Sequence, residues 1–77
     1  MIRRLTPASW AVLRDVATAA STGLRVIGAR RRTARSLVRR GFLWTTREHD
    51  CRRVWITADG TAAVARELAQ INRELAA

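Results

Sequence analysis

The chain has 77 residues, 48% of them hydrophobic, with fifteen arginines, no lysine, six acids and a formal net charge of +9. A chain this short buries about 60% of the surface it exposes when unfolded, so one domain with a small core is expected, and this apolar content argues against wholesale disorder. No apolar run reaches the length of a membrane span, and nothing behind Met1 to Leu5 reads as a signal peptide, so a soluble, cytoplasmic protein is expected.

Residues 1–5 read as a lead-in, with Ile2 and Leu5 available for packing. Thr6 and Pro7 start a first helix: the threonine caps it, and the proline falls in the first turn, where its missing N–H costs nothing. Trp10, Leu13, Val16, Ala17 and Ala20 follow at helical spacing as its core stripe. Ser21-Thr22-Gly23 ends the helix, and Gly23 suits the left-handed position there. Leu24 to Ile27 is open between one turn of helix and a short strand that pairs with a later hairpin.

Residues 28–40 read as a second helix, ended by Gly41. Its narrow apolar face is Ala34, Leu37 and Val38, joined by Ile27. Arg31, Arg35 and Arg39 follow one another at i, i+4 on the opposite face, with Arg32 and Ser36 beside them. Like charges at that spacing destabilise a helix, so core packing or a polyanion must offset the repulsion. Ten of the fifteen arginines lie between Arg25 and Arg53, against only Glu48 and Asp50, and this segment therefore carries +8 of the +9. A solvated face normally mixes signs, whereas no acid occurs here between Asp15 and Glu48. Nucleic acid is the first partner this implies, with an anionic membrane face or an acidic protein as the others.

Residues 42–46 and 53–57 are β-prone runs joined by a polar link. With a turn at Glu48-His49-Asp50-Cys51, Arg47 opposes Arg52, Thr45 opposes Val54, Trp44 opposes Trp55 and Leu43 opposes Ile56. Leu43, Val54 and Ile56 then face the core. Trp44 and Trp55 share the other face, as a stacked pair that stiffens the hairpin or as a docking surface. Thr57 caps a final helix, 58–75, with Asp59 in its first turn, where the helix dipole favours an anion. Val64, Leu68, Ile71 and Leu75 form a seam. Its first half is core, and its far end, Ile71 to Leu75, is open to meeting a second copy.

Catalysis is not expected. The chain has one histidine and one cysteine, and Glu48-His49-Asp50 is a local run in an exposed turn without a pocket. That triplet does not make a structural zinc shell, and no cofactor is implied. A single cysteine, Cys51, excludes an intrachain disulfide and reads as a plain free thiol, with a sensor role lowered in pKa by Arg52 and Arg53 as the alternative.

Two stretches resemble the MarR group of winged helix-turn-helix regulators. Thr33-Ala34-Arg35-Ser36-Leu37-Val38-Arg39-Arg40-Gly41-Phe42-Leu43 is similar to the end of their recognition helix, where a leucine precedes by four a glycine that turns the chain into the wing. Asp50-Cys51-Arg52-Arg53-Val54-Trp55-Ile56-Thr57-Ala58-Asp59-Gly60 resembles their wing and exit, ending hydrophobic-Thr-x-x-Gly. Leu5-Thr6 through Leu13 is similar to the opening of the preceding helix. The likeness touches residues 5–60. It departs from the pattern in two respects: Ser21 to Ile27 is too short for a full first helix of a helix-turn-helix, and the long dimerising helices that hold the family's ligand pocket are missing.

The expected fold is therefore α+β and mostly helical: a single winged-helix domain over 1–77, with a recognition helix at 28–40, a two- or three-stranded wing over 42–57 and a C-terminal helix at 58–75. The resemblance implies a small bacterial transcription regulator associated with the nucleoid, and the chain's size alone points to a phage or other mobile element. Arg31, Arg32 and Arg35 would reach guanine edges or nearby phosphates. Ser36, Arg39 and Arg40 would touch phosphate, and Arg47, Arg52 and Arg53 would place the wing. A homodimer through Leu68, Ile71 and Leu75 is open. The alternative function is a protein-interaction module that offers Trp44, Trp55 and arginines to an acidic surface.

Overall fold

The structure, a computed structural model, describes residues 5–46 and 53–76. Three helices and a small antiparallel sheet follow in the order α1 (Pro7–Ala19), a 3-10 turn (Ala20–Thr22), β1 (Leu24–Arg25), α2 (Arg30–Arg39), β2 (Leu43–Thr45), β3 (Arg53–Ile56) and α3 (Ala58–Ala76). Among the described residues no helix is long and apolar enough to cross a membrane.

The first helix starts where its sequence says: Thr6 Oγ1 accepts from the Ser9 amide at 3.1 Å, with Pro7 in the first turn. Its buried residues are Val12, Leu13 and Val16. The expected stripe is right at Leu13 and Val16, missed Val12 and wrongly included Ala20. Ala20 lies past the helix end with φ +53 and is exposed, because the backbone has already left the helical spiral there. Trp10 and Ala17 are half-buried.

The open segment at 24–27 begins with a short strand, β1, over Leu24 and Arg25. Leu24 pairs with Val54 and Arg25 with Arg53, giving the sheet order β1-β3-β2. Alternation then turns Leu24 and Val26 inward and Arg25 and Ile27 outward. Val26 is fully buried while Ile27 is 68% exposed, so the core contact expected of Ile27 belongs to its neighbour. On the other side of β3 the expected register holds: Leu43 opposes Ile56, Trp44 opposes Trp55 and Thr45 opposes Val54. The expected turn 48–51 and the Arg47–Arg52 pairing lie outside the described residues, as does the lead-in apart from Leu5, which packs against the core.

The second helix begins at Arg30 rather than at residue 28, because Gly28 sits at φ +61 in a turn. Its end is a Schellman motif. The Phe42 amide donates to the Leu37 carbonyl and the Gly41 amide to the Val38 carbonyl, both at 3.0 Å. That geometry places Gly41 in the left-handed region (φ +83), where a side chain would be strained.

The third helix is clamped at its start. Thr57 Oγ1 accepts from the Gly60 amide at 3.0 Å and donates to the Gly41 carbonyl at 2.6 Å, while the Thr57 amide donates to the Phe42 carbonyl at 3.1 Å. One residue therefore caps α3 and ties it to the turn that ends α2. The core joins all of these elements: Val12, Leu13, Val16, Val26, Ala34, Leu37, Leu43, Val54 and Ala63 are buried, with no buried polar or charged residue among those described. Val64, Ile56, Phe42 and Val38 close its rim. At about 1.5 Å per residue, the 19 residues of α3 span roughly 28 Å. Leu68 (47% exposed) and Leu75 (79%) lie along the part of the helix that outruns the core.

Candidate nucleic-acid interface

Half of α2 is fixed by packing and the other half is charge. Ala34 and Leu37 are fully buried, with Thr33 and Val38 half-buried beside them. At 3.6 residues per turn, Arg32, Arg35, Ser36 and Arg39 fall within an arc of about 100° opposite that face, and all four are exposed. No described carboxylate lies within ion-pair distance of Arg32, Arg35 or Arg39.

Arg31 is placed differently from Arg32 and Arg35. It lies on the flank of the helix, half-buried, with its Nε shielded from solvent and contacts of its own within the molecule. The outward triplet is thus Arg32, Arg35 and Arg39. Arg40, the last residue before the Gly41 turn, lays its guanidinium over the Phe42 ring, 4.9 Å from its centroid, leaving the residue exposed.

Arg30, not singled out from the sequence, has a structural task. Its Nη2 lies 2.6 Å from Asp15 Oδ2 and joins α2 to α1, and Arg14 stands 3.7 Å from the other oxygen of the same carboxylate. Both partners of the short pair are about 40% exposed, so solvent screens it to a contribution of about 1 kcal/mol or less. Arg30 sits opposite Asp15 only because α1 and α2 cross, and no spacing rule predicts a pair fifteen residues apart. Beside it lies a shallow apolar crevice of about 210 Å³, lined by Ala8, Ala11, Val12, Ala29, Arg30 and Thr33.

The N-terminus of α2 is electrostatically unfavourable for an isolated helix. Arg30, Arg31 and Arg32 occupy its first turn, no acid is present there, and Ala29 at the cap position supplies no side-chain hydrogen bond. Cations at the positive end of the helix dipole oppose it.

On the sheet, Arg53 is held with Nη1 donating to the Thr22 carbonyl at 3.0 Å. Trp44 and Trp55 stack across the strands, ring centroids 4.5 Å apart and 17° from parallel. Arg47 and Arg52 lie outside the described residues, so the wing's contribution rests here on Arg53. Ile71 is half-buried on α3, between the exposed Leu68 and Leu75. No group of histidine, cysteine, aspartate and glutamate able to hold a metal occurs among the described residues. Compared with known proteins, the chain matches no family model, no curated protein and no solved structure.

Proposed function

We propose that this chain is a reduced winged helix that binds duplex DNA as a small transcriptional regulator, with α2 in the major groove and the β2–β3 hairpin on the backbone. The observation that carries the reading is the exposed arc of Arg32, Arg35, Ser36 and Arg39, with no described carboxylate within ion-pair distance, on a helix whose other side is locked into the core. The major groove admits one helix, and a guanidinium bonds both acceptors of a guanine. A phosphate at the uncapped, arginine-rich start of α2 would also relieve the dipole conflict there. The element order α1-β1-α2-β2-β3-α3 is compatible with a winged helix that lacks the first helix of its helix-turn-helix, and the motifs of residues 33–43 and 50–60 resemble those of MarR-type regulators.

The test is the salt dependence of duplex binding. Six or so phosphate contacts give a slope of log affinity on log salt of about −5. A wild-type slope near zero ends this reading.

One such domain covers few base pairs, so useful specificity calls for two copies. The third helix is the surface on which copies of a +9 chain meet with least repulsion. It carries Asp59, Glu67 and Glu74 against Arg66 and Arg73, and presents Leu68 and Leu75 to solvent. Replacing both leucines by glutamate is expected to turn a dimer into a monomer in sedimentation equilibrium, with unchanged circular dichroism. A wild-type chain that stays monomeric at every concentration removes the dimer from the proposal.

A further inference from the structure

The outer face of the sheet carries chemistry that the helix does not explain. Arg25, Arg53, Trp44 and Trp55 share this face, by the alternation that buries Val54 and by the pairing of Arg25 with Arg53 and of Trp44 with Trp55. The stack is built rather than incidental. Trp55 Nε1 donates to the Ser21 carbonyl at 3.1 Å. Gly23 lies so close to the indole that a Cβ there would stand 2.7 Å from Trp55 Cε2 and Nε1. Trp55 is thus covered by the chain on one side and by Trp44 on the other.

Among the described residues, Trp55 is the one ring stacked on Trp44. It lies on β2, an edge strand of the sheet, and it is 46% exposed. Among the described residues the stack is closed at the Gly23 end, and Trp44 is its half-exposed end. The described acids lie on α1 (Asp15) and α3 (Asp59, Glu67, Glu74), and none is on the sheet. A half-exposed planar indole with two guanidinium groups on the same sheet face matches an unpaired nucleobase and neighbouring backbone phosphates. An acidic peptide would use the charge of this face but not its planarity.

We infer that the outer sheet face is a second nucleic-acid site, which takes a single strand by stacking one base on Trp44 while the opposed pair Arg25 and Arg53, on the neighbouring strands of the same face, holds the phosphates of the adjoining backbone. This site does not use the arginines of α2, and shares only Arg53 with the proposed wing contact. A base stacked on an aromatic side chain is sequence-tolerant, because every base has a flat face.

The experiment compares a fluorescent oligothymidine with a strand of the same length and charge that lacks bases, using the full chain at physiological salt. The wild type is expected to prefer the base-bearing strand by about tenfold, the loss typical of removing one stacking partner. Trp44→Ala should abolish the preference and leave affinity for the base-free strand unchanged. Trp44→Phe should keep part of the preference. Arg25→Ala with Arg53→Ala should weaken both strands alike, and the α2 arginine variants should leave the preference intact. Because Trp44→Ala removes a hairpin contact, its melting curve is recorded. If it does not fold, the wild-type preference and its partial retention in Trp44→Phe decide. A wild type that treats the two strands equally, or a preference that survives in folded Trp44→Ala, overturns the inference. So does a Trp44 variant that loses affinity for a glutamate- and leucine-rich peptide but not for the oligothymidine, an outcome that assigns the face to a protein.

Discussion

Replacing Arg32, Arg35 and Arg39 together by alanine is expected to lower duplex affinity more than a hundredfold at physiological salt while leaving the fold as stable as before or slightly more so. Each arginine that contacts a base contributes about 1–3 kcal/mol, and Arg32 and Arg35 at the middle of that range already exceed two decades in affinity at about 1.4 kcal/mol per decade. The salt slope should flatten by about 0.9, the contribution of one phosphate contact, since Arg39 is the one of the three assigned to phosphate. Stability moves the other way. All three side chains are exposed, none is paired to a described carboxylate, and Arg35 and Arg39 repel at i, i+4. Alanine removes that repulsion and is the better helix former, for a gain of a few tenths of a kcal/mol. Fluorescence anisotropy against salt and a thermal melt read the two effects separately. The control is Arg66→Ala with Arg73→Ala, which lowers net charge by two on α3, away from the arginine arc of α2; because α3 is also the proposed dimer surface, sedimentation checks that its oligomeric state matches the wild type. A control that weakens binding as much as the triple variant would mean that the chain responds to net charge, not to a face.

Gly60→Ala is expected to destabilise the protein by about 2 kcal/mol or more, although alanine is the stronger helix former by about 1 kcal/mol. Gly60 is buried in the first turn of α3, and a Cβ built there overlaps the Phe42 carbonyl oxygen and stands 2.7 Å from Ile56 Cγ1. The carbonyl has no room to retreat. It accepts from the Thr57 amide, and Thr57 itself is bound to Gly41 and Gly60. The substitution therefore forces α3 away from the start of β2 or breaks the clamp. In a domain of this size each kcal/mol lowers the melting temperature by about 4–8 °C, so a drop of roughly 10 °C or more is expected. A melt equal to or above that of the wild type would mean that α3 shifts freely on the sheet. This contact also gives a physical reason for the hydrophobic-Thr-x-x-Gly run at residues 56–60: the threonine caps the helix, and the glycine three residues later lets its first turn lie against the strand.

Much of this architecture was legible in the chain because it rests on local rules. The Thr6-Pro7 start of α1, the Gly41 stop of α2 and the Thr57 cap of α3 each follow from backbone groups seeking partners within a few residues. The Leu43–Ile56, Trp44–Trp55 and Thr45–Val54 pairs follow from matching two short alternating runs. The basic stripe of α2 follows from helical periodicity alone. Errors fell where a residue's environment is set by a distant segment. Ile27 and Val26 are equally apolar, and the chain leaving β1 buries one and exposes the other because the Arg25–Arg53 pairing sets which side faces the core. Arg30 and Arg31 look like their neighbours in sequence. The crossing of α1 commits the first to Asp15, and position on the helix flank half-buries the second.

The chain by itself determined that a basic helix and a paired hairpin would share one small domain, because charge, periodicity and capping act over a few residues and can be read along a line. Only the tertiary structure decided which arginines remain outward, why Gly23 and Gly60 have no side chain, and that Trp44 is the half-exposed end of a stack. Those outcomes depend on what lies a few ångströms away in space, across up to 34 residues of chain from Ser21 to Trp55.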